Sequence, residues 1–284
     1  MDNIGRNFIL EHLGGNFKLI RLDDRFKRRG MGVHRKDVYL VKVSNRPNSV
    51  LLYFSSKYKT IFQNFMDARD VMGNRVVGDK WKIDKENLLI LLPYLGSVFD
   101  KPSNKSLISI ITFLRETNDP VKFDNFKIPR YLSNLFSLNN NRLNLNQLNQ
   151  LIALICDKKM KFGYGPGVED PAFRNFTNVL DRAYLVDLDN FSTKISLSYE
   201  LGFLAADMGL EYGGITNELS VELQKFERIA NIKINKIQFY LGYLSRLGTI
   251  LIDFLSDVKV SVDFVTEVGE KVEDLSLELR STLV

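Results

Sequence analysis

Apolar and polar positions alternate over residues 17–22, and residues 37–44 and 49–55 are rich in β-formers, which predicts three β-strands. Asn45-Arg46-Pro47-Asn48 supplies a turn that folds the second and third of these into a hairpin. Between residues 60 and 72 the period changes. Ile61, Phe65, Ala68 and Met72 fall at helical spacing, and Gly73 marks the end of that helix. Residues 80–84 and 88–92 return to strand character and run into Pro93-Tyr94-Leu95-Gly96-Ser97. Beyond this point helical segments dominate, at 105–116, 145–159, 198–208, 218–257 with interruptions, and 265–283. The exception is 168–191, which reads as two short strands around a tight turn at 180–183. The pattern therefore predicts an α+β protein, with a small antiparallel sheet and one helix first and a mainly helical remainder. The division falls at residues 1–95 and 96–284.

Composition sets outer limits on this picture. A chain of 284 residues, 45% hydrophobic and 26% charged, is ordinary for a globular protein and long enough to bury a real core. No unbroken apolar run, 88–92 included, is long enough to cross a bilayer. Residues 1–6 lack the basic region and apolar block of a secretion signal. The single Cys156 cannot form an internal disulfide, so a reducing, cytoplasmic setting is expected. One Cys and two His exclude a Cys/His structural zinc site. The net charge of +5 suits a nucleotide, an anionic substrate or RNA without choosing among them. That charge is concentrated where Lys27-Arg28-Arg29 and His34-Arg35-Lys36 flank Gly30-Met31-Gly32. An Asn-rich tract at 139–147 suits a loop entering a helix, with Asn144 or Asn146 as its cap.

The chemistry concentrates in 168–191. Val168-Glu169-Asp170-Pro171-Ala172-Phe173-Arg174-Asn175 is followed by the apolar strand Tyr184-Leu185-Val186-Asp187-Leu188-Asp189. Asp170 before Pro171 would by itself also serve as a loop turn. Asp187 is different, because a carboxylate inside an apolar strand is costly unless a cation or hydrogen-bond donors await it. Strand parity places Asp189 on the same face as Asp187. Transfer of a phosphoryl group from a nucleotide needs these pieces in this order: an Asp to orient the attacking hydroxyl, then an Asn and an Asp for metal ions.

This layout resembles the catalytic loop and metal-binding strand of the protein-kinase-like superfamily, nearest the aminoglycoside phosphotransferases and choline kinases. The element order before it, ending in a hinge at 91–96, is similar to a kinase amino-terminal lobe. The resemblance implies a two-lobed fold and an ATP- and magnesium-dependent phosphotransferase acting on a hydroxyl, with a small molecule as acceptor. Asp170 matches the residue that orients the hydroxyl; Asn175 and Asp187 match the metal ligands, and Asp189 a further acid near the metal. Leu92 and Leu95 match the backbone groups that hold adenine, Leu95 as donor because Pro93 has no amide hydrogen. Gly30 and Gly32 match the loop over the phosphates. Glu200 matches an acid that braces the catalytic loop.

Two departures accompany the match. Val168 stands where the family has a catalytic-loop His, and Glu169 replaces the usual Gly or Arg. The third strand lacks the family's lysine, since Leu52 occupies that position. Lys42 on the preceding strand is the expected substitute, with Lys57 and Lys59 as alternatives, while Gln63, Asp67 and Asp70 are candidates for the helix residue that normally holds it. Two other readings follow from these departures. The chain could be a catalytically impaired kinase-fold interaction module. Alternatively, Lys27, Arg28, Arg29, Arg35 and Lys36 could neutralise nucleic-acid phosphates, in an RNA-binding protein or an RNA-directed kinase.

Overall fold

The computed structural model describes residues 2–22, 36–73, 76, 80–96, 103–118, 122–137, 144–180, 182–212, 218–255 and 261–283. The expected phosphate-loop residues Gly30 and Gly32 lie outside the described residues, as do the basic residues 27–29 and 35. Contacts divide the chain into two compact units: Met1–Val98 with Phe176–Phe191, and Phe99–Asn175 with Ser192–Val284.

In the first unit the predicted strands form. β1 (Phe17–Arg21), β2 (Asp37–Val43), β3 (Ser49–Tyr53), β4 (Lys82–Asp84) and β5 (Leu89–Pro93) form one sheet in the order β1-β2-β3-β5-β4. Each neighbouring pair is antiparallel. Tyr39, Val41, Leu51, Leu89 and Leu91 form a core with Phe8 and Ile9 of α1 (Asn3–Leu13). Leu40, Leu52, Ile90 and Leu92, one residue out of step, are also buried and by parity face the opposite side. Phe54, just after β3, meets the rings of Phe62 and Phe65 on α2 (Lys59–Met72), with centroids 5.6 and 5.4 Å away. Burial on both faces explains why the sequence of β5 is a continuous apolar run.

α1 is an addition to the expected elements, since periodicity assigned nothing before residue 17. Its buried face is narrow, Gly5, Phe8 and Ile9, so the helical signal is thin. Its ends are well marked: Asp2 accepts a hydrogen bond from the Gly5 amide at 3.1 Å, and Gly14 at φ 65° closes the helix. The first unit is completed by the antiparallel hairpin of β8 (Phe176–Val179) and β9 (Arg182–Leu185), because Leu185 forms a parallel bridge with Val76.

The second unit carries the helices. These are α3 (Asn104–Thr117), α4 (Arg130–Ser137), α5 (Asn146–Asp157), α6 (Leu197–Tyr212), α7 (Leu219–Ala230), α8 (Lys236–Leu255) and α9 (Val262–Ser281). A small sheet, in the order β10-β7-β6, joins β6 (Lys122–Asn125), β7 (Lys161–Val168) and β10 (Phe191–Ile195). α6 and α8 pack backbone to backbone at two glycines. A Cβ on Gly202 would lie 1.9 Å from the Phe239 carbonyl oxygen, and one on Gly242 2.0 Å from that of Tyr199. Asn144 Oδ1 accepts from the first amide of α5, that of Asn146, at 3.4 Å, and a tertiary cap adds to it. Leu145 is the N-cap residue, and Glu273 of α9 receives the Gln147 and Leu148 amides. A charged carboxylate completes the positive end of that helix better than an amide would. Among the described residues no helix is long and apolar enough to cross a membrane.

Candidate active site

In the first unit the acidic strand end meets a lysine. Asp187 and Asp189 follow β9 directly, and Lys36 immediately precedes β2. The Lys36 ammonium lies 2.9 Å from Asp187 Oδ1 and also pairs with Asp189 Oδ1. The side chains of Lys36 and Asp189 are only 12% and 14% exposed. The ammonium also sits over the Phe65 ring of α2, 4.9 Å from its centroid. The neighbouring helix residue, Asn64, donates from Nδ2 to the Asp189 carbonyl oxygen at 2.7 Å. Burial opposes ionisation of Asp187, but Lys36 and the Asp189 amide outweigh it and hold the carboxyl below the ordinary carboxylate range. Burial and the adjacent Asp187 charge push Asp189 up to about 6. For Lys36 the attraction of both acids overcomes desolvation and keeps the amine protonated.

In the second unit Asp170 and Asn175 share one tight turn. The Asp170 carbonyl oxygen accepts from the Ala172 amide at 2.7 Å and from Asn175 Nδ2 at 3.0 Å. Asn175 is 8% exposed. With its amide nitrogen committed inward, its Oδ1 is the atom suited to a hard cation. Two buried acids of α6, seven residues apart and so on one helix face, grip the chain on either side of Asp170. Glu200 Oε1 accepts from the Val168 amide at 2.9 Å, while Oε2 accepts from Asn118 Nδ2 at 3.0 Å. Asp207 Oδ2 accepts from the Phe173 amide at 2.8 Å, and its Oδ1 from Arg246 Nε of α8 at 2.7 Å. Glu200 is fully buried, and burial pushes its carboxyl up to about 8 against the pull of the Val168 amide and Asn118. Gly167 makes room for it, since a Cβ there would lie 2.5 Å from Glu200 Oε1.

Lys42, the expected substitute lysine, is not part of the acidic cluster. It is exposed, opposite Lys18 of β1, towards the hairpin end of β2. It lies six positions along the chain from Lys36, ~20 Å of extended backbone, so both cannot reach one site. Lys36 is the lysine that does, and Asp67 and Asp70 of α2 are exposed while Asn64 and Phe65 face the cluster. At the hinge Leu92 is buried on β5, and the Tyr94 amide is taken by the Asn48 carbonyl oxygen at 3.0 Å. Pro93 has no amide hydrogen, so among these hinge residues Leu95 offers the next donor. Asp207 and Arg246 are loop-holding residues that the sequence motifs did not single out. The available signal was the seven-residue spacing of Glu200 and Asp207 in a mostly apolar helix.

Among the described residues no three His, Cys, Asp or Glu side chains gather as a metal cage. Asp187 with Asp189 suits instead a hard cation that binds through one or two carboxylates and completes its shell with water and phosphate oxygens. The protonated amine already lodged between them shows that the pair accepts positive charge.

No protein-family model matches the sequence, and no curated protein matches it. Solved structures do. Choline kinase LicA from Streptococcus pneumoniae is 15% identical, over 97% of this chain and 98% of its own, with a TM-score of 0.61. A thermostable mutant of aminoglycoside phosphotransferase APH(4)-Ia, in ternary complex with AMP-PNP and hygromycin B, is 10% identical over 97% and 98%, with a TM-score of 0.62. Amicoumacin kinase hAmiN, in complex with AMP-PNP, Ca2+ and Ami, is 11% identical over 86% and 87%, with a TM-score of 0.57. The chain has the protein-kinase-like fold of these small-molecule kinases, with an antiparallel sheet unit and a mainly helical unit.

Proposed function

We propose that the chain is an ATP- and magnesium-dependent phosphotransferase that acts on a hydroxyl of a small-molecule acceptor. The observation that carries this reading is the buried Lys36 ammonium on Asp187 and Asp189. That contact supports the reading because it brings a lysine suited to phosphates and two acids suited to a cation together, although the third strand has no lysine. In this reading Asp170 orients the acceptor hydroxyl and takes up its proton as the phosphoryl group transfers. Asn175, through Oδ1, and Asp187 hold magnesium, with Asp189 as a further acid beside it. Magnesium, when bound with the nucleotide, neutralises charge on the phosphate oxygens. Lys36, in place of Lys42, pairs with the phosphates; Leu92 and Leu95 offer the adenine its backbone acceptor and donor; and Gly30 and Gly32 belong to the loop over the phosphates. The exposed thiol of Cys156 fits the reducing, cytoplasmic setting of such an enzyme.

The test is a pair of variants assayed for magnesium-dependent release of phosphate from ATP, alone and with candidate aminated or polyhydroxylated acceptors. Asp187→Asn is expected to abolish turnover while the protein stays folded. Asp170→Asn is expected to lower it ~10²–10⁴-fold with nucleotide affinity nearly unchanged, because that residue acts on the acceptor. A wild-type protein that binds no nucleotide in the presence of magnesium would point instead to a kinase-fold interaction module.

A further inference from the structure

We infer that Lys36 is the resident counter-ion of the metal position, so that a divalent cation enters only together with the nucleotide. This inference rests on the phosphotransferase reading and concerns how its site is filled. The amine occupies the space between Asp187 Oδ1 and Asp189 Oδ1 that a cation bridging the two acids would need. Lysine and metal together would set three positive charges against two negative ones, around a lysine and an Asp189 that are 12% and 14% exposed and an Asp187 that is 37% exposed. The incoming ion must therefore displace the amine.

The displaced amine needs a new anionic partner, and the surroundings limit the choice. The helix face beside it presents Asn64 and Phe65, neither of which carries charge. The acids of α2 are turned away: Asp67 and Asp70 are exposed, and Asp67 is engaged with Gln63 at 2.7 Å. Among the described residues of that helix, none can take over the ammonium. The phosphates of the nucleotide can. Metal and nucleotide are then coupled through one side chain: the phosphates draw Lys36 off the acids, and the acids become available to the cation. A cation arriving alone meets an occupied site. By reciprocity the same factor strengthens nucleotide binding when the cation is present.

The experiment titrates Mn2+ into the full chain by calorimetry and water-proton relaxation, with and without a non-hydrolysable ATP analogue. Wild type is expected to bind Mn2+ at least ~10-fold more weakly alone than with the analogue. Lys36→Met is expected to bind Mn2+ alone at least ~10-fold more tightly than wild type does, with the analogue's enhancement reduced. Circular dichroism checks that Lys36→Met folds. Should it not, Asp189→Asn is compared with Lys36→Met/Asp189→Asn, which leaves one carboxylate fewer without its cation, and the lysine-free member is again expected to bind more tightly. Normal analogue-dependent Mn2+ binding in wild type, with no gain on removing Lys36, would overturn the inference and leave the phosphotransferase reading standing. Absence of nucleotide binding by wild type would overturn both.

Discussion

Each unit holds a pair of acids, half-buried in the first and buried in the second, and the two pairs are held in different ways. Asp187 and Asp189 share one cationic side chain, the four-carbon arm of Lys36, and Asp187 also accepts from the Asp189 amide. Glu200 and Asp207 are held by the main-chain amides of Val168 and Phe173, and Asp207 also by an arginine that is itself buried. A side-chain cation can leave when a better one comes. A backbone amide cannot, and a buried Asp–Arg pair separates only at the cost of two desolvated charges. The first arrangement suits a site that exchanges ligands, and the second suits a scaffold that keeps Asp170 in place. Burial of a carboxylate is thus no indicator of function until its partner is identified.

The contrast can be broken most forcefully from the fixed side. Arg246→Met leaves Asp207 buried without its cation, and a loss of about 3–5 kcal/mol in urea unfolding is expected. A loss below about 1 kcal/mol would mean that the Phe173 amide alone suffices. Gly242→Ala drives a methyl group against the Tyr199 carbonyl oxygen and should cost about 1–3 kcal/mol as α6 and α8 part. Because Glu200 and Asp207 ride on α6, that variant should also lower phosphate release from ATP more than it lowers nucleotide affinity.

The proton on Glu200 gives a finer probe. Its folded-state value near 8 lies above its ordinary 4.5, so the folded protein holds the proton more tightly than the unfolded chain. That stabilisation is complete below pH 4.5 and is lost progressively as pH rises to about 8. The slope is at most about 1.4 kcal/mol per pH unit. The unfolding free energy of wild type relative to Glu200→Gln should fall as pH rises from 5 to 8. Parallel curves would assign the proton elsewhere. Smallest of all should be Lys42→Met on the exposed edge of the contrast, within about 0.5 kcal/mol in stability and without effect on Mn2+ or nucleotide binding.

Legibility in the sequence follows the same division between local and distant causes. Strand alternation is local, and β2, β3 and β5 stand where residues 37–44, 49–55 and 88–92 predict them, to within one or two residues at each end. The interval from Asp170 to Asn175 is local too, and one turn closes it. β7 was hidden because Gly163, Gly165, Pro166 and Gly167 interrupt any alternation, yet Glu200 and Asn118 need those small residues beside them. Lys36 and Lys42 have the same strand parity, so periodicity identifies the face of β2 but not how far along it the acids lie. That distance is set by where β9 ends, well over a hundred residues later. The Asp207–Arg246 pair depends on a helix crossing that two glycines permit, and no spacing within either helix reports it.

The hairpin bridge between Val76 and Leu185 also bears on the order in which the protein can be made. Lys36 leaves the ribosome 151 residues ahead of Asp187, and Asn64 125 residues ahead of Asp189. At ~5–20 residues per second, Lys36 waits roughly 8–30 s for its acids to be synthesised. During that interval α3, α5 and β7 are made, while the sheet unit still lacks its last hairpin. The nascent sheet is therefore finished from a distance, only after residues 99–175 of the other unit have been made.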